Sequence, residues 1–221
     1  MAGTDDSATR ATSQQLRQWT EEGYVVIQGF EGEDLLRLQL VFDRCAADAK
    51  EAWLEGVEDG SRPAAHFDVP LAHEKDTMFA ELGTYPSYHG LVRDFLGEDA
   101  IYQGAGVRTL PPSPISYVGW HPDVKHDRPQ HMKIQIYVED VSADGGAFAF
   151  VPGSHTPDTG WPPVYDQLEE MPGHIVLPGR AGTAILFNNY GWHTSMVNST
   201  PHARKSIILS YRVAEQGGDR R

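Results

Sequence analysis

Beyond about Asp99 the chain is broken so often that only short strands fit between the breaks. Pro111-Pro112, Pro122, Asp144-Gly145-Gly146, Pro152-Gly153, Pro178-Gly179 and Thr200-Pro201 interrupt a series of β-like runs. These runs are 101–109, 116–121, 132–138, 147–151, 174–177, 183–187, 193–197 and 206–213, each rich in β-branched or aromatic residues. Proline and glycine at this frequency forbid long helices. Eight short strands so spaced point to a mainly β protein with a two-sheet jelly-roll, cupin-like core.

The first hundred residues have a different texture. Ser13 is the expected N-cap of a helix to about Glu22, stopped by Gly23, and Tyr24-Val25-Val26-Ile27 reads as a buried strand. From Gly32 to about Val57, the residues Leu35, Leu38, Val41, Phe42, Cys45, Ala49, Trp53 and Leu54 recur at three- and four-residue steps, the mark of an amphipathic helix. Residues 58–76 read as a loop and Tyr85–Leu96 as a further helix ended by Gly97. Helices placed N-terminally can cover one sheet face. The expected layout is a disordered tail over 1–12, one domain over 13–213 and a C-terminal tail over 214–221.

Charge and thiol content narrow the partners. The 221 residues carry 31 acidic and 18 basic side chains, a net charge of −13. Such a surface repels nucleic acid and anionic lipid, so neither is an expected partner. No apolar run is long enough to span a bilayer, and the polar N-terminus lacks a secretion signal core. The single cysteine, Cys45, falls in a helical pattern where packing is its expected role. A lone thiol fits a reducing, cytoplasmic setting.

The strongest chemical signal is Trp120-His121-Pro122-Asp123. On an extended segment, residues i and i+2 face the same side, so His121 and Asp123 offer an imidazole nitrogen and a carboxylate together. A second histidine from a distant strand completes two histidines and one carboxylate, a set that leaves positions open on a metal and marks non-haem iron(II) oxygenases. His193 is the preferred third ligand, because it follows the apolar run Ala184-Ile185-Leu186-Phe187 and a turn. His126 and His131 are close enough in sequence to compete; a charged loop favours exposure for His126. Arg204, eleven residues after His193, opens the apolar run 207–209. A cation beside a buried metal needs an anion, and the guanidinium fork suits a carboxylate.

With these residues in place, the chain resembles the phytanoyl-CoA dioxygenase family of iron(II)/2-oxoglutarate oxygenases. The resemblance is carried by Glu22-Gly23-Tyr24-Val25-Val26-Ile27, Trp120-His121-Pro122-Asp123, Asp144-Gly145-Gly146, Val151-Pro152-Gly153-Ser154-His155, and His193-Thr194-Ser195 through Asn198 to Arg204, in order across about 16–212. It implies a double-stranded β-helix fold, with iron held by His121, Asp123 and His193. It implies that Arg204 pairs with the far carboxylate of 2-oxoglutarate and that Ser195 hydrogen-bonds the same co-substrate. Gln135 and Ser206 fall at positions that line that pocket. O2 is the remaining reactant, and succinate and CO2 leave. A carboxylate at Asp123 fills the space that related halogenases leave for halide, so halogenation is not expected; hydroxylation leads, and desaturation, epoxidation and ring closure stay open to the same oxidant.

Substrate contacts are less constrained. Tyr102, Gln103, Arg108, His131 and Trp192 are candidates for a small organic molecule, of the kind met in specialised metabolism. The chain is short and lacks a basic CoA-binding patch, which argues against an acyl-CoA substrate. Two other readings of the same residues are a jelly-roll metalloenzyme that works without 2-oxoglutarate, as a cupin-type isomerase or oxygenase, and a non-catalytic binding module.

Overall fold

In the computed structural model, residues 9–62, 64–112 and 118–213 are described. Helix α1 (Ser13–Glu22) starts in a capping box in which the Thr12 side chain accepts from the Gln15 backbone and Gln15 reaches back to the Thr12 N–H. The cap is thus Thr12, one residue before the expected Ser13. Residues 9–12, the described end of the expected tail, are tied to the domain: the Ala11 N–H donates to Asp94 at 2.7 Å and Arg10 pairs with Asp94 at 2.8 Å. Residues 1–8 and 214–221 lie outside the described residues.

Strand β1 (Tyr24–Gln28) leads into the long helix α2 (Gly32–Glu58), which buries Leu38, Phe42, Cys45 and Trp53 on one face. The segment expected to be a loop over 58–76 holds a two-residue strand, β2 (Phe67–Asp68), and a one-turn helix, α3 (Ala72–Lys75). Both are too short to leave a periodic pattern. A further turn, α4 (Met78–Glu81), precedes α5 (Pro86–Leu96), whose proline sits in the first helical turn where its missing N–H costs nothing.

The β-rich half contributes β3 (Ile101–Leu110), β4 (His131–Tyr137), β5 (Phe148–Phe150), β6 (Ile175–Leu177), β7 (Thr183–Asn188), β8 (His193–Ser195) and β9 (Arg204–Arg212). They form an antiparallel six-stranded sheet, ordered β1-β7-β4-β9-β3-β2, and a three-stranded sheet, ordered β6-β5-β8. This is the expected jelly roll. The strand expected at 116–121 is not one: 116 and 117 lie outside the described residues, and the rest pairs only through a single bridge from His121 to His193.

Period-two alternation divides the large sheet cleanly. Met132, Ile134 and Ile136 of β4 and Ile207, Leu209 and Tyr211 of β9 join the core shared with α2 and α5. Each fully buried aliphatic side chain there contributes about 1.5–3 kcal/mol. The opposite face meets the small sheet, where Tyr137, Ile185 and Phe187 pack against Phe148 and Phe150. Tyr137 fastens the two sheets. Its hydroxyl donates to the Leu177 carbonyl and accepts from the Phe148 N–H, both at 2.8 Å, and burial raises it to about 12. Towards one end this inter-sheet layer becomes polar and opens into a cavity. No described helix is long and apolar enough to cross a membrane.

Candidate metal and co-substrate site

The cavity, about 160 Å³, lies between the sheets and is lined by His121, Asp123, His193, Lys133, Gln135 and Arg204 among others. The fold brings the first three together by backbone pairing. His121 and His193 exchange N–H···O bonds at 3.2 and 3.0 Å, which sets their rings side by side with centroids 4.6 Å apart. The Asp123 N–H donates to the Asn189 carbonyl at 2.9 Å and turns the carboxylate back towards the pair. Convergence therefore comes from these cross-links and not from an extended 121–123 strand.

Ring orientation is fixed as well. His121 Nδ1 lies 2.8 Å from the Gly119 carbonyl, and His193 Nδ1 lies 2.9 Å from the Gly191 carbonyl. A carbonyl only accepts, so each Nδ1 carries a proton and each Nε2 is the ring nitrogen left to face the cavity. His193 Nε2 faces Asp123 Oδ2 at 3.3 Å, and that buried oxygen has no hydrogen-bond donor. So close an approach of a ring nitrogen to a carboxylate oxygen needs a cation or a proton between them. One ligand atom from each of His121, Asp123 and His193 lies within 4.8 Å of the other two. These donors fit a ferrous ion on chemistry and on geometry.

Electrostatics keeps the donors ready. Burial lowers the His121 imidazole, and His193 adds to the effect, so the ring stays neutral. Burial pushes the Asp123 carboxyl up, but His193 and Lys133 outweigh it and hold it well below the usual carboxylate range. The Lys133 ammonium donates to Asp123 Oδ1 at 2.8 Å.

Arg204 opens β9 at the other end of the cavity and is 4% exposed. Its Nη1 donates to the Gly146 carbonyl at 2.6 Å and to Ser195 Oγ at 2.7 Å, and Nη2 reaches Ser206 Oγ at 3.5 Å. Its buried Nε has no partner among the described residues. Burial lowers the group to about 10, and the charges acting on it come from Tyr137 and Arg108, not from a carboxylate. A buried guanidinium without an anion is costly, so this end of the cavity fits a ligand carboxylate. Gln135 lines the same space from β4 with its amide nitrogen unpaired.

The sequence profile of the phytanoyl-CoA dioxygenase (PhyH) family matches residues 19–206. The chain belongs to that family. Among family relatives, it is 25% identical to the ectoine dioxygenase of Nocardia farcinica over 92% of this chain and 78% of that protein. It is 24% identical to a probable alpha-ketoglutarate-dependent hypophosphite dioxygenase of Stutzerimonas stutzeri, over 92% and 79%. A crystal structure of EctD from S. alaskensis with 2-oxoglutarate and 5-hydroxyectoine superposes with a TM-score of 0.73 at 22% identity, covering 96% of this chain and 79% of that one. The double-stranded β-helix fold of the family is thereby shared.

The residues expected to touch substrate are scattered. Arg108 lines the cavity, held bidentately by Asp68 at 2.8 Å through both nitrogens. Tyr102 does not line it: a register shift between Tyr102 and Gly104 reverses the alternation, and Tyr102 turns to the helical side, where its hydroxyl donates to the Phe79 carbonyl. Gln103, at that bulge, is exposed. His131 is half-buried beyond the cavity lining, and Trp192 packs behind the small sheet with its indole N–H on the Gly160 carbonyl. His126 is exposed. His155 donates from Nε2 to the Thr20 carbonyl at 3.2 Å and packs under Gly23, so the Pro-Gly-Ser-His segment locks the N-terminal helix to the barrel. Lys133 escaped the sequence reading. Its signal was available: it lies two residues before Gln135, among Met132, Ile134 and Ile136 of opposite facing.

Proposed function

We propose that this chain is an iron(II)- and 2-oxoglutarate-dependent oxygenase of a small organic molecule, with iron on His121, Asp123 and His193 and 2-oxoglutarate anchored by Arg204. The observation that carries the reading is the buried Arg204 guanidinium without a carboxylate partner among the described residues, in one cavity with three convergent donors. A metalloenzyme working without 2-oxoglutarate leaves that charge unmatched. When bound, iron, 2-oxoglutarate and O2 together supply an oxidant able to hydroxylate C–H bonds, with succinate and CO2 released.

The chain's own part is placement. Gly119 and Gly191 carbonyls hold the two imidazoles with Nε2 forward, and Lys133 engages Asp123 Oδ1 so that Oδ2 remains the metal-facing oxygen. Ser195 and Ser206 orient the Arg204 fork, and Gln135 offers an unpaired amide to a carboxylate. Phe148 and Phe187 wall the site with apolar surface. The names of the relatives, ectoine and hypophosphite dioxygenases, support a compact substrate. The mixed aromatic and polar lining fits specialised metabolism, and the one buried free thiol fits a cytoplasmic setting.

The test is anaerobic addition of 2-oxoglutarate to the iron-loaded protein, with iron content measured beside Asp123→Ala. The expected results are a weak visible charge-transfer band in the native chain and iron content reduced at least tenfold in the variant, the scale of losing a metal ligand or its support. Equal iron in both, or no band, overturns the assignment.

A further inference from the structure

Lys133 carries a charge that the loaded site leaves over. It projects from β4 into the cavity, its side chain is 26% exposed, and its partner there is Asp123, through Oδ1 at 2.8 Å. Asp123 is also the carboxylate whose other oxygen faces His193 Nε2. On the iron/2-oxoglutarate reading, on which this inference rests, Asp123 neutralises part of the metal charge. The remaining charges balance as follows: the ferrous ion and Arg204 together match Asp123 and the dianionic co-substrate. Arg108, the other cation of the lining, is already matched by Asp68 in a bidentate pair. Among the described residues of the lining, Lys133 is then the cation left without a counter-ion of its own, at the partly exposed side of the cavity.

We propose that the substrate is a compact oxyanion, a small carboxylate or phosphonate, and that Lys133 is the residue that receives its anionic group. A three-donor ammonium suits this task, since it can keep Asp123 while donating a further hydrogen bond into the cavity. The consequence for reaction is positional. An anionic group held by Lys133, which touches Asp123, would set a carbon one or two bonds away beside the residues that would hold the metal. Oxidation is directed at that carbon, next to the acid group.

Binding is read in the anaerobic iron–2-oxoglutarate holoprotein, with 2-oxoglutarate saturating and ionic strength fixed. The visible band is followed during titration with propionate, ethylphosphonate, propionamide and propylamine. The expected result is saturable perturbation by at least one oxyanion, with a Kd about tenfold or more below that of propionamide, as one charge-assisted hydrogen bond provides, and no response to the amine. The two anions separate the carboxylate from the phosphonate source. Lys133→Arg keeps the anion preference, whereas Lys133→Gln, compared at equal iron content, brings anion and amide to parity. Equal binding of anion and amide by the native protein, loss of the band through displacement of 2-oxoglutarate, or an undiminished preference in Lys133→Gln overturns the proposal. Failure of 2-oxoglutarate itself to raise the band overturns the underlying reading of the site.

Discussion

Arg204→Met separates the cost of the buried guanidinium from its use. Burial lowers Arg204 from 12.5 to about 10. A cation whose folded pKa is depressed costs stability at every pH below that value, here about 3 kcal/mol throughout the physiological range. Methionine removes that cost but abandons the buried Gly146 carbonyl and the Ser195 hydroxyl, which Arg204 now satisfies. One orphaned buried acceptor costs about 1–3 kcal/mol. The two nearly cancel, so the co-substrate-free variant is expected within about 2 kcal/mol of the native chain. Removing one partner of an ordinary buried salt bridge would cost about 3–5 kcal/mol. The assay is thermal unfolding with and without 2-oxoglutarate, both iron-loaded and anaerobic. At a ligand concentration about a hundred times Kd, the native chain gains about 2.7 kcal/mol, roughly 5–10 °C for a chain of this size. The variant is expected to gain nothing. A large loss of stability in the ligand-free variant would mean that Arg204 has a counter-ion in the folded protein, and the reasoning would fail; an unaltered 2-oxoglutarate shift would refute its role.

Two further outcomes test the scaffold. Gly23 has φ +85, and a Cβ there would fall 2.5 Å from His155 Nδ1; Gly23→Ala is expected to lose about 2–5 kcal/mol from the left-handed backbone and the clash together, with part recovered by adding His155→Ala, all measured by denaturant unfolding. A loss below about 1 kcal/mol would contradict the packing described. The imidazoles of His66, His89, His121, His131 and His155 are all lowered, chiefly by burial. Below about pH 6.5 the unfolded chain binds protons that the folded chain refuses, so the metal-free protein should melt several degrees lower at pH 5.5 than at pH 7.5, roughly a kcal/mol or more of lost stability. A melting temperature that is flat or rises on acidification would speak against those buried neutral rings.

Much of this was legible in the sequence because it is local. The start of α1 to within one residue, the face of α2, the stops at Gly23 and Gly97 and most of the short runs between prolines each depend on neighbours a few residues away. The candidate donors were legible for a related reason: His121-Pro122-Asp123 and the His193–Arg204 spacing are fixed by chain connectivity. Tertiary structure decided the rest. The bulge beside Tyr102 reversed the facing of a strand and took a candidate substrate contact out of the cavity, because alternation carries no memory past an inserted residue. The His121–His193 bridge, the Asp123–Asn189 hydrogen bond and the ion pair from Lys133 to Asp123 join segments with no local pattern in common. Whether a charge is matched or spare depends on what the fold packs beside it, and that is why the solitude of Arg204 and the surplus of Lys133 emerge only when both sheets are closed.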